Sequence, residues 1–356
     1  MKRVAALGIT MVLAIGSILA PSYALNAPSK KKTSSVIRIG FFPNVTHASA
    51  LVAVHRKTFE KDLAKQGTKV EYVAFNAGPA AIEAMKAGSI DITFIGPNPA
   101  VAGYVSTKGS LLKIISGVTS GGAQFITKQS ITEVSQLKGK TFATPQLGNT
   151  QDVALRAYLK ANGFKTSVLG SGDVSITPTE NSQTLALFKN GSIDGAWVPE
   201  PWASRLVLEA NGRVFLDEKT IWPKGQFVTT HLIAKSDYLS KYSKTIRTVL
   251  NSLIKTNRWI AKNQSAAKEA VQAQLEKWSG KRLSDEVLNR AWPNITVTVN
   301  PVANSLEKSV DDAVEAGLLT NIGSRGIQGI YDLRILNKLL KSKKMKTVSS
   351  AGLGQQ

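Results

Sequence analysis

Two short polar segments carry the side chains best suited to chemistry, and each lies where a predicted strand gives way to a predicted helix. They occupy residues 44–47 and 148–151. Free backbone N–H groups and the positive end of the helix dipole make a helix N-terminus a natural anion site that needs no lysine. Asn and Thr at these positions also serve as ordinary helix caps, and the two roles are compatible. The residues predicted to face a ligand here are Asn44, His47, Gly148, Asn149, Thr150 and Gln151.

Two other loops at predicted strand ends would complete a pocket around such an anion. The first strand leads to an aromatic ring and a proline, and the third ends in Gly-Pro-Asn-Pro at 96–99. The loop 199–202 adds a carboxylate and an indole ring. That carboxylate would either meet an ammonium group of the ligand or brace its own loop through backbone N–H groups, and the sequence leaves both roles open. The residues predicted here are Phe42, Pro43, Gly96, Pro97, Asn98, Glu200 and Trp202.

The sequence gives little support for catalysis. The sequence contains no Gly-Xaa-Ser-Xaa-Gly motif, no zinc-type His-Glu pair at helical spacing, no phosphate-binding glycine loop with lysine and no dinucleotide fingerprint. His47 and His55 lie two helical turns apart, but no carboxylate accompanies them at metal-ligand spacing. We therefore predict a binding protein that is not an enzyme and uses no cofactor and no metal.

One segment of the chain is repeated, and the repeat organises the rest. KAGSIDITFIGPNPA at 86–100 returns as KNGSIDGAWVPEPWA at 189–203, an offset of 103 residues. The same offset aligns 38–54 with 141–157, and both segments are typical of strand, tight loop and helix. A chance match of two helix-to-strand corners is the alternative, because glycine after a helix is common. Two copies are too few for a solenoid, so we predict two similar α/β lobes whose strand-end loops face each other across a cleft.

The predicted fold is a two-lobed α/β fold with mixed sheets flanked by helices and a hinge of two crossovers. Small residues at 119–122 would supply the first crossover. A strand near 227–234 returns the chain to the first lobe, and amphipathic helices follow. The predicted boundaries are a signal peptide at 1–24, a linker at 25–35, a discontinuous first lobe at 36–120 and 229–340, an inserted second lobe at 121–228, and a basic flexible tail at 341–356.

The first residues have the composition of a secretory signal peptide. Lys2 and Arg3 precede an apolar run at 4–20, and small residues predict cleavage after Ala24. A membrane anchor is the alternative, but the run is short for a span and ends at Pro21. Export suits a chain without cysteine, which forms neither disulfides nor a lipid link through an N-terminal cysteine. We therefore predict a periplasmic or otherwise extracytoplasmic protein.

The chain is strongly basic. Its net charge of +21 falls to +19 when residues 1–24 are removed, because that segment holds two cations and no acid. Most lysines and arginines are scattered singly, but clusters stand at 30–32 and 338–346. We interpret these clusters as a solvated linker and a solvated tail, with weak adhesion to an anionic envelope as the alternative. No nucleic-acid-binding motif accompanies the charge, so no nucleic acid partner is predicted.

Three segments together resemble the solute-binding proteins of ABC importers for aliphatic sulfonates, taurine and nitrate. They are KAGSIDITFIGPNPA at 86–100, PQLGNTQDVALR at 145–156 and KNGSIDGAWVPEPWASRL at 189–206. The resemblance implies a type II periplasmic-binding-protein fold that closes on its solute by hinge bending and delivers it to the permease and ATPase subunits of the importer. It also implies a pocket made of the strand-end residues named above, His47 excepted. Many members from bacteria with one membrane carry a lipobox cysteine, and its absence here favours a free periplasmic protein or an unusual mode of retention.

The function predicted from these features is capture of a small organic anion, an aliphatic sulfonate or a taurine-like solute, by a monomeric extracytoplasmic protein. A sulfonate is ionised at all relevant pH values and has three acceptor oxygens and no donor, so its pocket should consist of donors. Nitrate or bicarbonate is the nearest alternative ligand. A thiamine-pyrimidine-related binding protein or enzyme on the same fold is a further alternative. Such an enzyme would need a reactive histidine and a cytoplasmic address, and the predicted signal peptide opposes the latter.

Overall fold

Two β-sheets, each covered by helices, form the part of the chain that the structure describes. The structure is a computed structural model, and it describes residues 32–320, 322 and 326–356. The predicted signal peptide at 1–24 and most of the predicted linker at 25–35 lie outside the described residues. We call the larger sheet with its helices the first lobe and the smaller sheet with its helices the second lobe.

The strands and helices are numbered in chain order. The strands are β1 (Val36–Phe41), β2 (Lys69–Ala74), β3 (Ile92–Ile95), β4 (Leu112–Gly121), β5 (Ala123–Thr127), β6 (Thr141–Thr144), β7 (Ser175–Pro178), β8 (Gly195–Pro199), β9 (Arg213–Asp217), β10 (Val228–Lys235), β11 (Ile295–Val297), β12 (Tyr331–Asp332) and β13 (Gly354–Gln355). The helices are α1 (Ala48–His55), α2 (Thr58–Ala64), α3 (Gly78–Lys86), α4 (Pro97–Ser106), α5 (Thr150–Ala161), α6 (Asn181–Lys189), α7 (Trp202–Ala210), α8 (Ser236–Lys241), α9 (Ser243–Lys262), α10 (Gln264–Ser279), α11 (Asp285–Ala291), α12 (Leu306–Glu315) and α13 (Arg334–Ser342).

The two sheets share one strand order. The first lobe runs β13-β12-β4-β10-β3-β1-β2, with β11 paired to β4, and the second runs β7-β6-β8-β5-β9. The order β4-β10-β3-β1-β2 in the first lobe therefore matches β9-β5-β8-β6-β7 in the second. In each sheet one strand, β10 or β5, is antiparallel to both of its neighbours. The predicted α/β fold with two mixed sheets flanked by helices is confirmed.

The sheets form because their central strands are apolar on both faces. All four residues of β3 are buried, as expected for a central strand that is covered by helices on both faces of its sheet. The covering helices show the complementary pattern. In α9 the residues Ile246, Val249, Leu250 and Leu253 are buried at the spacing of one helical face. The carboxyl ends of β1 and β3 in the first lobe lie opposite those of β6 and β8 in the second, since residues at all four ends line one cavity.

The last residues of the chain pack against the first lobe, whereas the sequence predicts a flexible tail at 341–356. Residues up to Ser342 complete α13, and β13 extends the first sheet by parallel pairing with β12. Leu353 is buried in the core of that lobe. The prediction of a flexible tail is wrong because it weighed the lysines of this segment and overlooked its single buried leucine.

A buried ion pair fixes the start of α5. Asp152 and Arg156 lie one turn apart with both side chains fully buried, and Arg156 Nε donates to Asp152 Oδ2 at 3.0 Å. The same carboxylate accepts a hydrogen bond from the Thr144 hydroxyl at 2.8 Å and from the Gly148 N–H at 2.9 Å. The pair therefore connects the end of β6, the following loop and the first turn of α5.

Removing one charge of this pair is expected to be costly. In Asp152→Asn the side chain keeps its size but leaves the Arg156 guanidinium buried without a counter-charge, so we expect a loss of about 3 kcal/mol or more in the free energy of unfolding. The matched control is Glu71→Gln, which breaks an exposed ion pair with Lys69 and should cost about 1 kcal/mol at most. Urea denaturation measures both, and equal midpoints for the two variants would contradict this account.

Candidate functional site

A small cavity lies between the two lobes, at the carboxyl ends of strands from both sheets. Its volume is about 20 Å³. The first lobe contributes the segment after β1 and the residue after β3, and the second contributes the first turn of α5 and the last residue of β8. Ligand sites of open α/β sheets are expected at this edge, because the strand-end loops from both lobes converge there.

The structure brings seven of the thirteen predicted site residues to this cavity and leaves six away from its lining. The seven are Phe42, Asn44, His47, Gly96, Asn149, Thr150 and Gln151. The other six, Pro43, Pro97, Asn98, Gly148, Glu200 and Trp202, do not line it. Asn98 lies beneath the site, where its Nδ2 donates to the Ser309 carbonyl at 2.9 Å. Trp202 and Glu200 act on the site through their neighbours, as described below.

Thr150 presents a hydroxyl without a partner. Its side chain is 6% exposed, and its Oγ1 is buried with no hydrogen-bond partner among the described residues. The residue opens α5, where the Thr150 and Gln151 N–H groups have no acceptor within the helix, whereas the Asp152 N–H donates to the Asn149 carbonyl at 3.0 Å. Gly96 of the first lobe makes room for it, because a Cβ at Gly96 would collide with Thr150 Oγ1. The Thr150 hydroxyl and the free N–H groups at the start of α5 therefore lie where the two lobes meet.

Asn149 and Asn44 do not act as side-chain caps. Each occupies the N-cap position of a helical segment, yet neither side chain accepts a hydrogen bond from that helix. Asn44 Oδ1 instead accepts a hydrogen bond from Trp202 Nε1 at 3.0 Å. This bond crosses from the second lobe to the first and orients the Asn44 amide so that its Nδ2 is left as a donor. Trp202 is thus a positioning residue for Asn44.

His47 is a buried, neutral donor. Its Nδ1 accepts a hydrogen bond from the Phe42 N–H at 3.3 Å, and its ring stacks on that of Phe42 with centroids 4.6 Å apart. Since Nδ1 accepts, the proton of the neutral imidazole lies on Nε2. Burial lowers the pKa of His47 from 6.5 to about 3. The residue is therefore uncharged at neutral pH and can donate one hydrogen bond.

Glu200 braces the junction of the lobes. Its side chain is fully buried. Oε2 accepts a hydrogen bond from the Ser204 N–H at 3.0 Å, and Oε1 accepts one from Asn294 Nδ2 at 2.7 Å and one from Arg290 Nη1 at 3.4 Å. Burial raises the pKa of Glu200, while these donors and the Arg290 charge oppose that shift. Of the two roles that the sequence left open, the geometry favours the brace, because both carboxylate oxygens are occupied within the protein.

Five further residues line the cavity, and the sequence analysis did not name them individually. They are Thr46, Asn76, Asn181, Pro199 and Thr229. Thr46 and Pro199 lie in segments 44–47 and 199–202, which were predicted to form the site, whereas the other three lie in no predicted segment. Asn76 and Asn181 follow the ends of β2 and β7, so the strand-end rule applied to the edge strands would have found them. Asn76 Nδ2 also donates to Glu180 Oε1 at 3.0 Å across the lobes. A wider space of about 520 Å³ shares Asn76 with the cavity and also borders Glu180.

The lining of the cavity carries no charged side chain. Its polar groups are amides, hydroxyls and one neutral imidazole. Among the described residues, no group of three or more His, Cys, Asp or Glu could hold a metal ion. None of the helices in the described ranges has the length and apolar character needed to cross a membrane. Neutral donors around a small space suit an acceptor-only anion, held by hydrogen bonds and by the dipole of α5.

The fold and the site define a class: two-lobed proteins of the periplasmic-binding-protein fold, with a polar site between the lobes. The chain belongs to the NMT1-like family, which it matches over residues 30–275. It is 27% identical over 207 residues to the taurine-binding periplasmic protein of Escherichia coli (strain K12). That match covers 58% of this chain and spans only 61% of the relative's own length.

Solved structures share the fold at lower identity. The alkanesulfonate-binding protein SsuA from Xanthomonas axonopodis pv. citri, bound to MOPS, superimposes with a TM-score of 0.67 at 20% identity, covering 81% of this chain and 96% of that one. The periplasmic nitrate-binding protein NrtA from Synechocystis PCC 6803 also gives a TM-score of 0.67, at 16% identity, covering 80% and 82%. The predicted family resemblance is confirmed, and these relatives are binding proteins.

The buried His47 predicts a specific dependence of stability on pH. Between pH 6.5 and about 3 the folded protein binds fewer protons at His47 than the unfolded chain, so stability falls as the pH falls through this interval. Compared with His47→Asn, which keeps a hydrogen-bond acceptor, the unmodified protein is expected to lose roughly 2 kcal/mol more of its unfolding free energy between about pH 7 and about pH 4.5.

Urea denaturation at several pH values measures this difference. His231 and Glu218, whose pKa values burial lowers to about 4 and raises to about 7, are present in both proteins and cancel in the comparison. His55→Asn removes an exposed histidine and serves as the matched control, with a curve expected to parallel that of the unmodified protein. Parallel curves for His47→Asn would contradict the prediction.

Proposed function

We propose that this protein is the solute-binding component of an ABC importer and that it captures a small organic anion, an aliphatic sulfonate or a taurine-like solute, between its lobes. The observation that carries the proposal is the unpartnered Thr150 hydroxyl at the start of α5, in a cavity lined by neutral side chains. Such donors complement a head group that has only acceptor oxygens. Membership of the family and the taurine- and alkanesulfonate-binding relatives support the same class of ligand.

The size of the cavity bears on how a ligand would enter. About 20 Å³ is room for about one water molecule, so a sulfonate requires the lobes to separate first. The interlobe hydrogen bonds from Trp202 to Asn44 and from Asn76 to Glu180 would break and form again during this hinge motion. The remainder of the solute would extend into the wider space beside Asn76, where Glu180 could accept a hydrogen bond from a taurine-like ammonium group.

Nitrate or bicarbonate is the second candidate ligand. The small cavity favours it, because a compact anion needs less separation of the lobes, and the likeness to a nitrate-binding protein agrees. The enzyme alternative receives no support from His47. A histidine with a pKa of about 3 is a weak general base at neutral pH, and its Nδ1 is occupied by the Phe42 N–H.

The protein would work outside the cytoplasm as a monomer, in keeping with relatives whose names describe periplasmic proteins. It would pass its solute to the permease and ATPase subunits of the importer. The predicted signal peptide at 1–24 would direct its export.

Thermal unfolding against a panel of ligands tests the proposal. The panel contains taurine, ethanesulfonate, nitrate, bicarbonate and an aminopyrimidine at fixed salt. A ligand at ~100 times its dissociation constant stabilises the folded protein by about 2.7 kcal/mol, so a shift in Tm is readily measured. We expect a saturable shift with a sulfonate. Thr150→Val should weaken the affinity about tenfold without lowering the Tm of the free protein, because no hydrogen bond within the protein is lost.

Thr256→Val is the matched control. Thr256 also has a buried hydroxyl without a partner, but it lies in α9 and does not line the cavity. This variant should bind as the unmodified protein does. A shift with nitrate or bicarbonate alone would replace the sulfonate assignment, and a shift with the aminopyrimidine alone would favour the pyrimidine-related alternative. Equal ligand affinity in the two threonine variants would show that the Thr150 hydroxyl does not bind the ligand.

A further inference from the structure

A long groove on the first lobe shares no residue with the interlobe cavity and has a different chemistry. Its volume is about 1090 Å³. Helices α8 and α9 form one wall, α13 forms the other, and β12 contributes to the floor. One acidic residue, Asp332, lines the groove beside six cations, which are Lys113, Lys244, Arg247, Arg334, Lys338 and Lys343. Lys343, which the sequence assigned to a flexible tail at 341–356, thus lines this groove.

The cations stand in two rows that face each other. On α9, Lys244 and Arg247 are three residues apart, and on α13, Arg334 and Lys338 are four apart, so each pair projects from one face of its helix. Arg334 pairs with Asp332 at 2.6 Å. Within the described ranges, Lys244, Arg247 and Lys338 form no ion pair. Arg334 is neutralised by Asp332, but cations without an ion pair remain on both walls, and an anion between them would relieve their repulsion.

The floor of the groove is polar but closed. Tyr331 and Ser236 both line it, and their hydroxyl oxygens are buried without a hydrogen-bond partner among the described residues. Because these oxygens are not accessible from the groove, a ligand would be held by the cations of the two walls.

We propose that this groove binds a soluble chain of linked phosphate groups. Each phosphate carries charge and several acceptor oxygens, which suits lysine and arginine on both sides. The groove-lining stretch of α9 from Lys244 to Asn251 is about 10 Å long at 1.5 Å per residue, so several linked phosphates fit along it. A concave groove favours a chain over a flat anionic membrane, which would require a protruding basic surface. This binding is independent of solute capture between the lobes.

Calorimetric titration with inorganic tripolyphosphate tests the proposal. We expect saturable one-to-one binding that is tighter than that of orthophosphate and weakens as salt is raised. Lys244→Gln combined with Lys338→Gln should weaken it roughly tenfold or more. Arg247→Gln should weaken binding by a few-fold, because it removes a cation of the α9 wall that has no ion pair among the described residues.

The matched control combines Lys61→Gln with Lys262→Gln. Both are exposed helical lysines outside the groove, and the double change removes the same charge. It should bind tripolyphosphate as the unmodified protein does, and so should Thr150→Val. Equal losses in the two double variants would reduce the effect to net charge and overturn the proposal. It would be overturned equally by an absence of saturable binding, or by tighter binding to phosphatidylglycerol vesicles than to tripolyphosphate.

Discussion

Each sheet contains one strand that the chain reaches only through a crossover between the lobes. The chain leaves the first lobe through β4, enters the second as β5, and returns from β9 to β10. Both β5 and β10 lie inside their sheets. The sheet of the second lobe is therefore complete only through the crossover from β4 to β5, and that of the first lobe only through the crossover from β9 to β10. Gly122 stands between β4 and β5 with a φ of 84°, and a side chain there would meet Ile295 and Thr46. This constraint holds the strand-end loops of the two lobes opposite each other, and the cavity depends on it.

Charged residues support the cavity, whereas the residues that line it are neutral. Charged groups brace the frame: Asp152 pairs with Arg156 beneath α5, and Glu200 accepts hydrogen bonds from Arg290 and its neighbours at the lobe junction. The lining itself stays neutral, with His47 kept uncharged by burial. Neutral donors can hold an anion without burying a cation that would be costly when the cleft is empty. Rigid charged supports and a neutral lining are compatible with repeated opening and closing.

The sequence predicted best those features that depend on a single strand or a single helix N-terminus. The offset of 103 residues matched β1 with β6 and β3 with β8, and the helix-start rule found Asn44, His47 and Thr150. The sequence did not reveal contacts between residues that are far apart along the chain. The partner of Glu200, Asn294, lies 94 residues further along the chain, and no local pattern marks it. The flexible tail was wrongly predicted for the same reason, since the sheet that receives β13 is built by distant strands.

The most direct test of the central claim is a crystal structure of the protein with ethanesulfonate at saturating concentration. The account predicts that the sulfonate sulfur lies between the lobes, with oxygens accepting hydrogen bonds from the Thr150 hydroxyl, the first N–H groups of α5 and His47 Nε2. It also predicts that Asn44 keeps its bond to Trp202. A sulfonate found only in the groove between α9 and α13, or an interlobe cavity that stays unchanged at saturation, would contradict it.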